Sequence, residues 1–153
     1  MTSCPSCGAP TAPDRSNCQD MWNQLLSADF SDFRRARYHR WAVDIYSLQH
    51  PEQYCKSAKS FAAHLTGMCC AMEHGGDRAV NAGVQRWLSH PAAIEKPAIP
   101  MDRGPLTIAH VHAAENHGDY VRRLGEWSEN VWSAYADHHN LARTWIATAL
   151  GRE

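Results

Sequence analysis

Cys4-Pro5-Ser6-Cys7-Gly8 stands near the start of the chain. A CPxCG turn points two thiolates at one centre, and its backbone amides can donate to the sulfurs. The glycine supplies the left-handed backbone that so tight a turn requires. Cys18 is a natural third ligand downstream. Zinc in a structural site takes four sulfur or nitrogen donors at the corners of a tetrahedron. Cys4, Cys7 and Cys18 therefore leave one position for a histidine or a later cysteine. An iron–sulfur cluster usually takes four thiolates at tighter spacing, which the chain lacks. The bland alternative is a loop of free thiols, and the cysteine spacing argues against it.

Ten histidines supply the candidates for the fourth donor. His39 and His50 lie eleven positions apart, about three helical turns and about 16 Å along an axis, so an intact helix forbids them one shared ion. His50 precedes Pro51 at a predicted helix C-terminus. It is either a ligand or a cation complementing the helix dipole, and it is the first candidate for the fourth position, with His64 and His139 behind it. His64 sits mid-helix, where a hydrogen-bonded core histidine is the competing assignment. His138 and His139 are about 100° apart on a helix, so one site takes at most one of them. His74, His90, His110, His112 and His117 are read as surface residues. Asp44 points away from both His39 and His50. With His64 and His139 it forms a second candidate set, for a metal held between facing helices or for general-base catalysis.

The elements that must position these groups are helical. Residues 1–17, with Pro10, Pro13 and Asp14, carry turn chemistry and bury nothing alone. Asp20 to Ala28 predicts a short helix with Trp22, Leu25 and Leu26 on one side. Asp32 caps a helix from Phe33 to Gln49, which Pro51 stops by pushing His50 out of helical geometry. Ser57 or Lys56 opens the next, running to Glu73 and ended by Gly75-Gly76. Asp77 starts a helix through Val80, Val84, Trp87 and Leu88. Residues 89–105 hold four prolines and a glycine and read as irregular loop. Thr107 caps Ile108 to Asn116, and Gly118-Asp119 leads into the longest helix, Tyr120 to Leu150. Leu124, Trp127, Val131, Ala134, Leu141 and Trp145 form its apolar face. The tryptophans Trp127, Trp132 and Trp145 with Tyr135 are read as core, with the wall of a small-molecule pocket as the minority reading. No stretch alternates as a strand does. The expected architecture is mainly α, a four- or five-helix bundle with an N-terminal metal-binding cysteine arm. It forms a single domain over 1–153, divided into the arm (1–19) and the bundle (20–153).

The 153 residues are 44% hydrophobic and 20% charged, which is the composition of one globular domain. A net charge of -1 gives no general attraction to nucleic acid or to anionic membrane. Arg34, Arg35, Arg37 and Arg40 spread over several sides of a helix, as solvated residues with local carboxylate partners do. No apolar run is long enough to span a bilayer, and MTSCPSCGAP has neither the basic start nor the apolar stretch of a secretory signal. A cytoplasmic protein is expected. There, six cysteines are not a disulfide framework.

Taken together, CPSCG, Cys18 ahead of a tryptophan, the block Val43-Asp44-Ile45-Tyr46-Ser47-Leu48-Gln49-His50-Pro51, the Ser60–Leu65 segment and Val131-Trp132-Ser133-Ala134-Tyr135 followed by His138-His139 resemble an uncharacterised bacterial family of unknown function. The resemblance implies no activity or substrate. It does single out Cys4, Cys7, Cys18, Asp44, Gln49, His50, His64 and His139. The expected function is a zinc-binding helical protein with Cys4, Cys7, Cys18 and His50 as ligands. The alternative is a small water-activating, hydrolase-like metalloenzyme using Asp44, His64 or His139. A small-molecule ligand and a homodimer are the partners in view, and nucleic acid is disfavoured.

Overall fold

A computed structural model describes residues 2–11 and 17–152. Pro13 and Asp14 of the expected turn lie outside the described residues. The fold is mainly α, with two strands of two residues each among the described residues, β1 (Thr2–Ser3) and β2 (Pro10–Thr11). No helix among these residues is long and apolar enough to cross a membrane.

Helix α1 (Cys18–Ser31) starts two residues earlier than the apolar periodicity suggests, because Asn17 caps it by accepting from the Asp20 amide. The third cysteine is therefore the first residue of a helix. Asp32 ends α1 and at once caps the next turn, accepting from the Arg34 amide. The expected helix over 33–49 is divided. Phe33–Tyr38 is 3-10 and buries nothing, and α2 begins only at His39 and runs to Gln49. The physical reason is the sequence FRRARY: it offers no apolar stripe, and its arginines are drawn to carboxylates, Arg34 to Asp32 and Arg35 to Asp29.

Pro51 ends α2 as expected, yet it also opens the short helix α3 (Pro51–Tyr54), since its fixed φ suits a first helical position. Ser57 and Ser60 form a reciprocal capping box at the head of α4 (Ala58–Glu73). Gly75 and Gly76, both at positive φ, close it with a hydrogen bond from the Gly76 amide to the Cys70 carbonyl. Asp77 caps α5 (Arg78–Leu88), and Thr107 caps α6 (Ile108–His112), which stops four residues short of the expected Asn116. That asparagine instead caps α7 (His117–Ala134).

The expected helix from 120 to 150 is two helices. A 3-10 turn, Ala136–His138, separates α7 from α8 (His139–Ala149). The Tyr135 hydroxyl donates to the Leu48 carbonyl of α2, which fixes the chain at the break. An unbroken helix of that length would extend about 46 Å, more than its partners can cover. The break lets α7 pack on α2 while α8 packs on α4 and α5. α4 lies in the middle, against α2, α5, α7 and α8, and α1 packs on α6. Trp127, Tyr135, Trp132 and Trp145 are all buried, as a core reading requires. Among the described residues the exposed large apolar side chains are Phe30, Phe33 and Met101.

Gly67 of α4 lets α2 approach. A Cβ there would collide with the Asp44 carboxylate. Gly67→Ala is expected to destabilise the protein by about 1–3 kcal/mol, the cost of overpacking. In an Asp44→Ala background the same change should be neutral or stabilising by up to ~1 kcal/mol, the helix propensity gain. Urea unfolding of the four proteins measures both.

Candidate metal centre

The cysteine arm is a miniature hairpin. Thr2 pairs with Thr11 and Ser3 with Pro10. Between them the Cys4 amide donates to the Ala9 carbonyl, and the Gly8 amide donates to the Cys4 carbonyl, each at 2.8 Å. Gly8 has φ of 82°, the left-handed conformation that glycine tolerates without strain. The Ala9 amide donates to the Cys7 sulfur at 3.4 Å. The CPxCG segment therefore turns both thiols to one side.

Cys18 comes from the first turn of α1, and Trp22 follows one turn later on the same face. The indole stacks on Tyr46 of α2 at 4.2 Å between centroids, with the planes 3° apart. Tyr46 in turn stacks on His50 at 4.0 Å. This pile of three rings docks α1 onto the C-terminal end of α2 and brings Cys18 to His50. The ligand atoms of Cys4, Cys7, Cys18 and His50 all lie within 4.8 Å of one another. Donors around a tetrahedral zinc ion, at about 2.0–2.3 Å from it, stand roughly 3.3–3.8 Å apart. Cys4 Sγ and His50 Nε2 are already 3.7 Å apart.

The imidazole of His50 is preset for ligation. Its Nδ1 lies 2.9 Å from the Tyr46 carbonyl oxygen. A carbonyl only accepts, so Nδ1 carries the proton and Nε2 presents its lone pair to the thiols. His50 is 4% exposed and Cys7 8%, while Cys4 and Cys18 are half-buried.

A second set of contacts secures the arm. Ser6 Oγ donates to Glu52 at 2.9 Å, and Arg103 donates to the Ser6 carbonyl at 2.9 Å and pairs with Glu52 at 2.7 Å. Gln49, fully buried, donates to the carbonyls of Arg103 and Leu106 at 3.0 and 2.7 Å and accepts from the Trp127 indole at 2.9 Å. Arg103 and Glu52 carry no recognisable spacing and escape a reading of the sequence. A lone arginine in a proline-rich loop is their one faint signal.

Asp44 and His64 also meet: the carboxylate of α2 lies 2.9 Å from His64 Nδ1 on α4, with Arg40 Nε at 3.9 Å. Burial pushes the Asp44 carboxyl up from its ordinary range, against the opposing pull of His64 and Arg40. His139 does not join them. It stacks on Trp132 at 3.8 Å, and its Nε2 donates to the Trp132 carbonyl at 2.7 Å. His39 is occupied elsewhere, 2.9 Å from Asp29. Among the described residues, Cys4, Cys7, Cys18 and His50 are the one group of three or more such side chains close enough to hold an ion.

The model of a family of unknown function, DUF5946, matches residues 2–136, and the chain belongs to that family. The match takes in the arm, the Cys/His cluster and the bundle up to the 3-10 turn. No curated protein and no solved structure matches the chain.

The thiols differ in acidity. Burial works to raise Cys4, but the Cys7 and Ser6 amides and the neighbouring thiols hold it below the ordinary thiol range. Burial, reinforced by the adjacent Cys4, pushes Cys7 well up and Cys18 up as well. Burial also depresses His50 and so keeps it neutral. At pH 7 the raised pair, Cys7 and Cys18, hold protons that a metal must displace. Metal loading is expected to release at least those two protons, and affinity to rise with pH by roughly two decades per unit or more. Titration calorimetry in buffers of differing ionisation enthalpy counts those protons, and a count near zero would exclude thiolate ligation.

Proposed function

We propose that Cys4, Cys7, Cys18 and His50 bind one zinc ion in a closed site, and that its role is to fasten the N-terminal arm to the helical bundle. The observation that carries this reading is convergence. Donors from three separate segments come together around a histidine whose free nitrogen already faces them. Three sulfurs and one imidazole suit zinc, which favours soft and borderline donors in a tetrahedron. Four protein donors leave no open position for water. Three thiolates also put so much negative charge on the ion that any bound water would be poorly acidic. The chemistry zinc supplies here is cross-linking. Its binding energy, on the order of 10 kcal/mol, offsets the cost of ordering a short polar arm. The described cysteines carry no disulfide, which suits a reducing compartment such as the cytoplasm.

The alternative, a small metal-dependent enzyme with its site in the bundle, draws support from one observation. The His64 side chain is 21% exposed, and Asp44 holds its Nδ1 from the buried side. A carboxylate-oriented imidazole of this kind is the arrangement of a general base. As a metal site the pair lacks a third donor among the described residues.

Metal analysis separates the two. Purified protein is expected to carry one equivalent of zinc. Cys4→Ser or His50→Ala should lower occupancy severalfold, whereas His64→Ala should retain the full equivalent. A second equivalent lost with His64→Ala would support the enzyme. Chelation should lower the thermal midpoint by roughly 10 °C or more. The cobalt-substituted protein should show tetrahedral thiolate bands that small anions leave unchanged.

A further inference from the structure

The six thiols of the chain fall into two groups by their surroundings. Cys55, Cys69 and Cys70 are enclosed in the apolar core, each at 0% exposure. Cys4 and Cys18 are half-buried, and Cys7 lies just beneath them. An oxidant arriving from solvent therefore meets the Cys/His cluster and not the core thiols. In that cluster the three sulfurs lie within 4.8 Å of one another. Such crowding decides the fate of an oxidised thiol, because a sulfenic acid condenses with a second thiol in reach.

Cys4 has two such neighbours, Cys7 and Cys18, and the fold distinguishes them. Cys4 and Cys7 share one closed turn, held by the Gly8 amide on the Cys4 carbonyl and the Cys4 amide on the Ala9 carbonyl. Those bonds lie inside the arm and do not depend on where the arm sits. Cys18 belongs to α1, so its distance from Cys4 depends on the arm staying seated on the bundle. Apart from the cluster itself, the polar contacts that seat the arm are few: Ser6 with Glu52, and Arg103 with the Ser6 carbonyl.

We infer that Cys4 and Cys7 are a peroxide-sensitive pair whose disulfide opens the site and unfastens the arm; the regulatory part of this rests on the zinc reading above. Coordination keeps the sulfurs as thiolates, the nucleophilic form. The Cys4 thiolate attacks one oxygen of hydrogen peroxide. The O–O bond breaks, and hydroxide leaves and takes a proton to become water. Cys4 is then a sulfenic acid. The Cys7 thiolate attacks its sulfur, the S–S bond forms, the S–O bond breaks, and a second hydroxide leaves as water. The two sulfurs together give up the two electrons that the peroxide gains. Cys18 and His50 remain, half the donors that a closed tetrahedral site takes. A dithiol reductant reverses the reaction by attacking the disulfide and leaving as its own disulfide.

The test treats the zinc-loaded full-length protein with millimolar hydrogen peroxide. Zinc release, followed with a colorimetric chelator, should keep step with the loss of two thiols. The thermal midpoint should fall to that of the chelated protein. Trypsin cuts after Arg15, which separates Cys4 and Cys7 from Cys18. The peptide 1–15 should therefore be lighter by two hydrogens, with Cys18 still open to alkylation. Dithiothreitol with added zinc should restore the starting state. Retained zinc, a cross-linked pair of peptides containing Cys18, or a sulfinic acid on Cys4 without a disulfide would each overturn the inference. Metal-free protein is treated in parallel. Failure to take up zinc sinks the zinc reading, whereas failure to form the Cys4–Cys7 bond in either sample sinks this one.

Discussion

The hydrogen bond from His50 Nδ1 to the Tyr46 carbonyl joins two residues one helical turn apart at the end of α2, on a carbonyl that also accepts from the His50 amide. It turns an end effect of the helix into a directed nitrogen lone pair. The neighbouring residues each reach a different part of the molecule. Tyr46 stacks against α1, Gln49 secures the long loop and α7, and Glu52 meets the arm through Ser6 and Arg103. Pro51 makes this possible by forcing a corner, so that consecutive residues stop sharing one helical periodicity. The C-terminal end of α2 is thus the hub on which arm, loop and bundle are assembled.

The magnitudes indicate which contacts hold the arm. Its strands are two residues long, too short to be stable alone. The Arg103–Glu52 pair leaves the glutamate side chain 58% exposed, and pairs open to water contribute little, about 0–1 kcal/mol. Ser6 adds one hydrogen bond of similar modest worth. These interactions orient the hairpin but do not by themselves fix it. A cross-link between Cys4 and His50 would close a long loop, and four coordinate bonds would exceed all the arm's other contacts together.

Much of the Cys/His cluster is legible in the sequence, because its determinants are local. CPSCG specifies a turn through its own proline and glycine, and a histidine directly before Pro51 marks a helix end. The helix starts read correctly where a single side chain caps them, as Ser57 and Asp77 do. The failures share a cause. The break after Ala134 depends on Tyr135 reaching a carbonyl of α2, eighty-seven residues away, and no periodicity within the segment records it. The 3-10 segment at Phe33 follows from arginines drawn to Asp29 and Asp32, and apolar spacing carries no trace of that. The meeting of Asp44 with His64 requires Gly67 to be small on the facing helix. Arg103 acts from a loop whose course is set by Gln49.

Helix α1 has two ends with different duties. Cys18 begins it, while Met21, Leu25 and Ala28 further along line a cavity beside α6. Fourteen residues of helix make a rod of about 21 Å, stiff enough that its two ends share one seating on the bundle. Were the cavity to hold a guest that favours this seating, thermodynamic reciprocity would require it to raise the affinity of the cysteine cluster for an ion by the same factor that the ion raises the affinity of the cavity. One helix would thereby link two sites that share no residue.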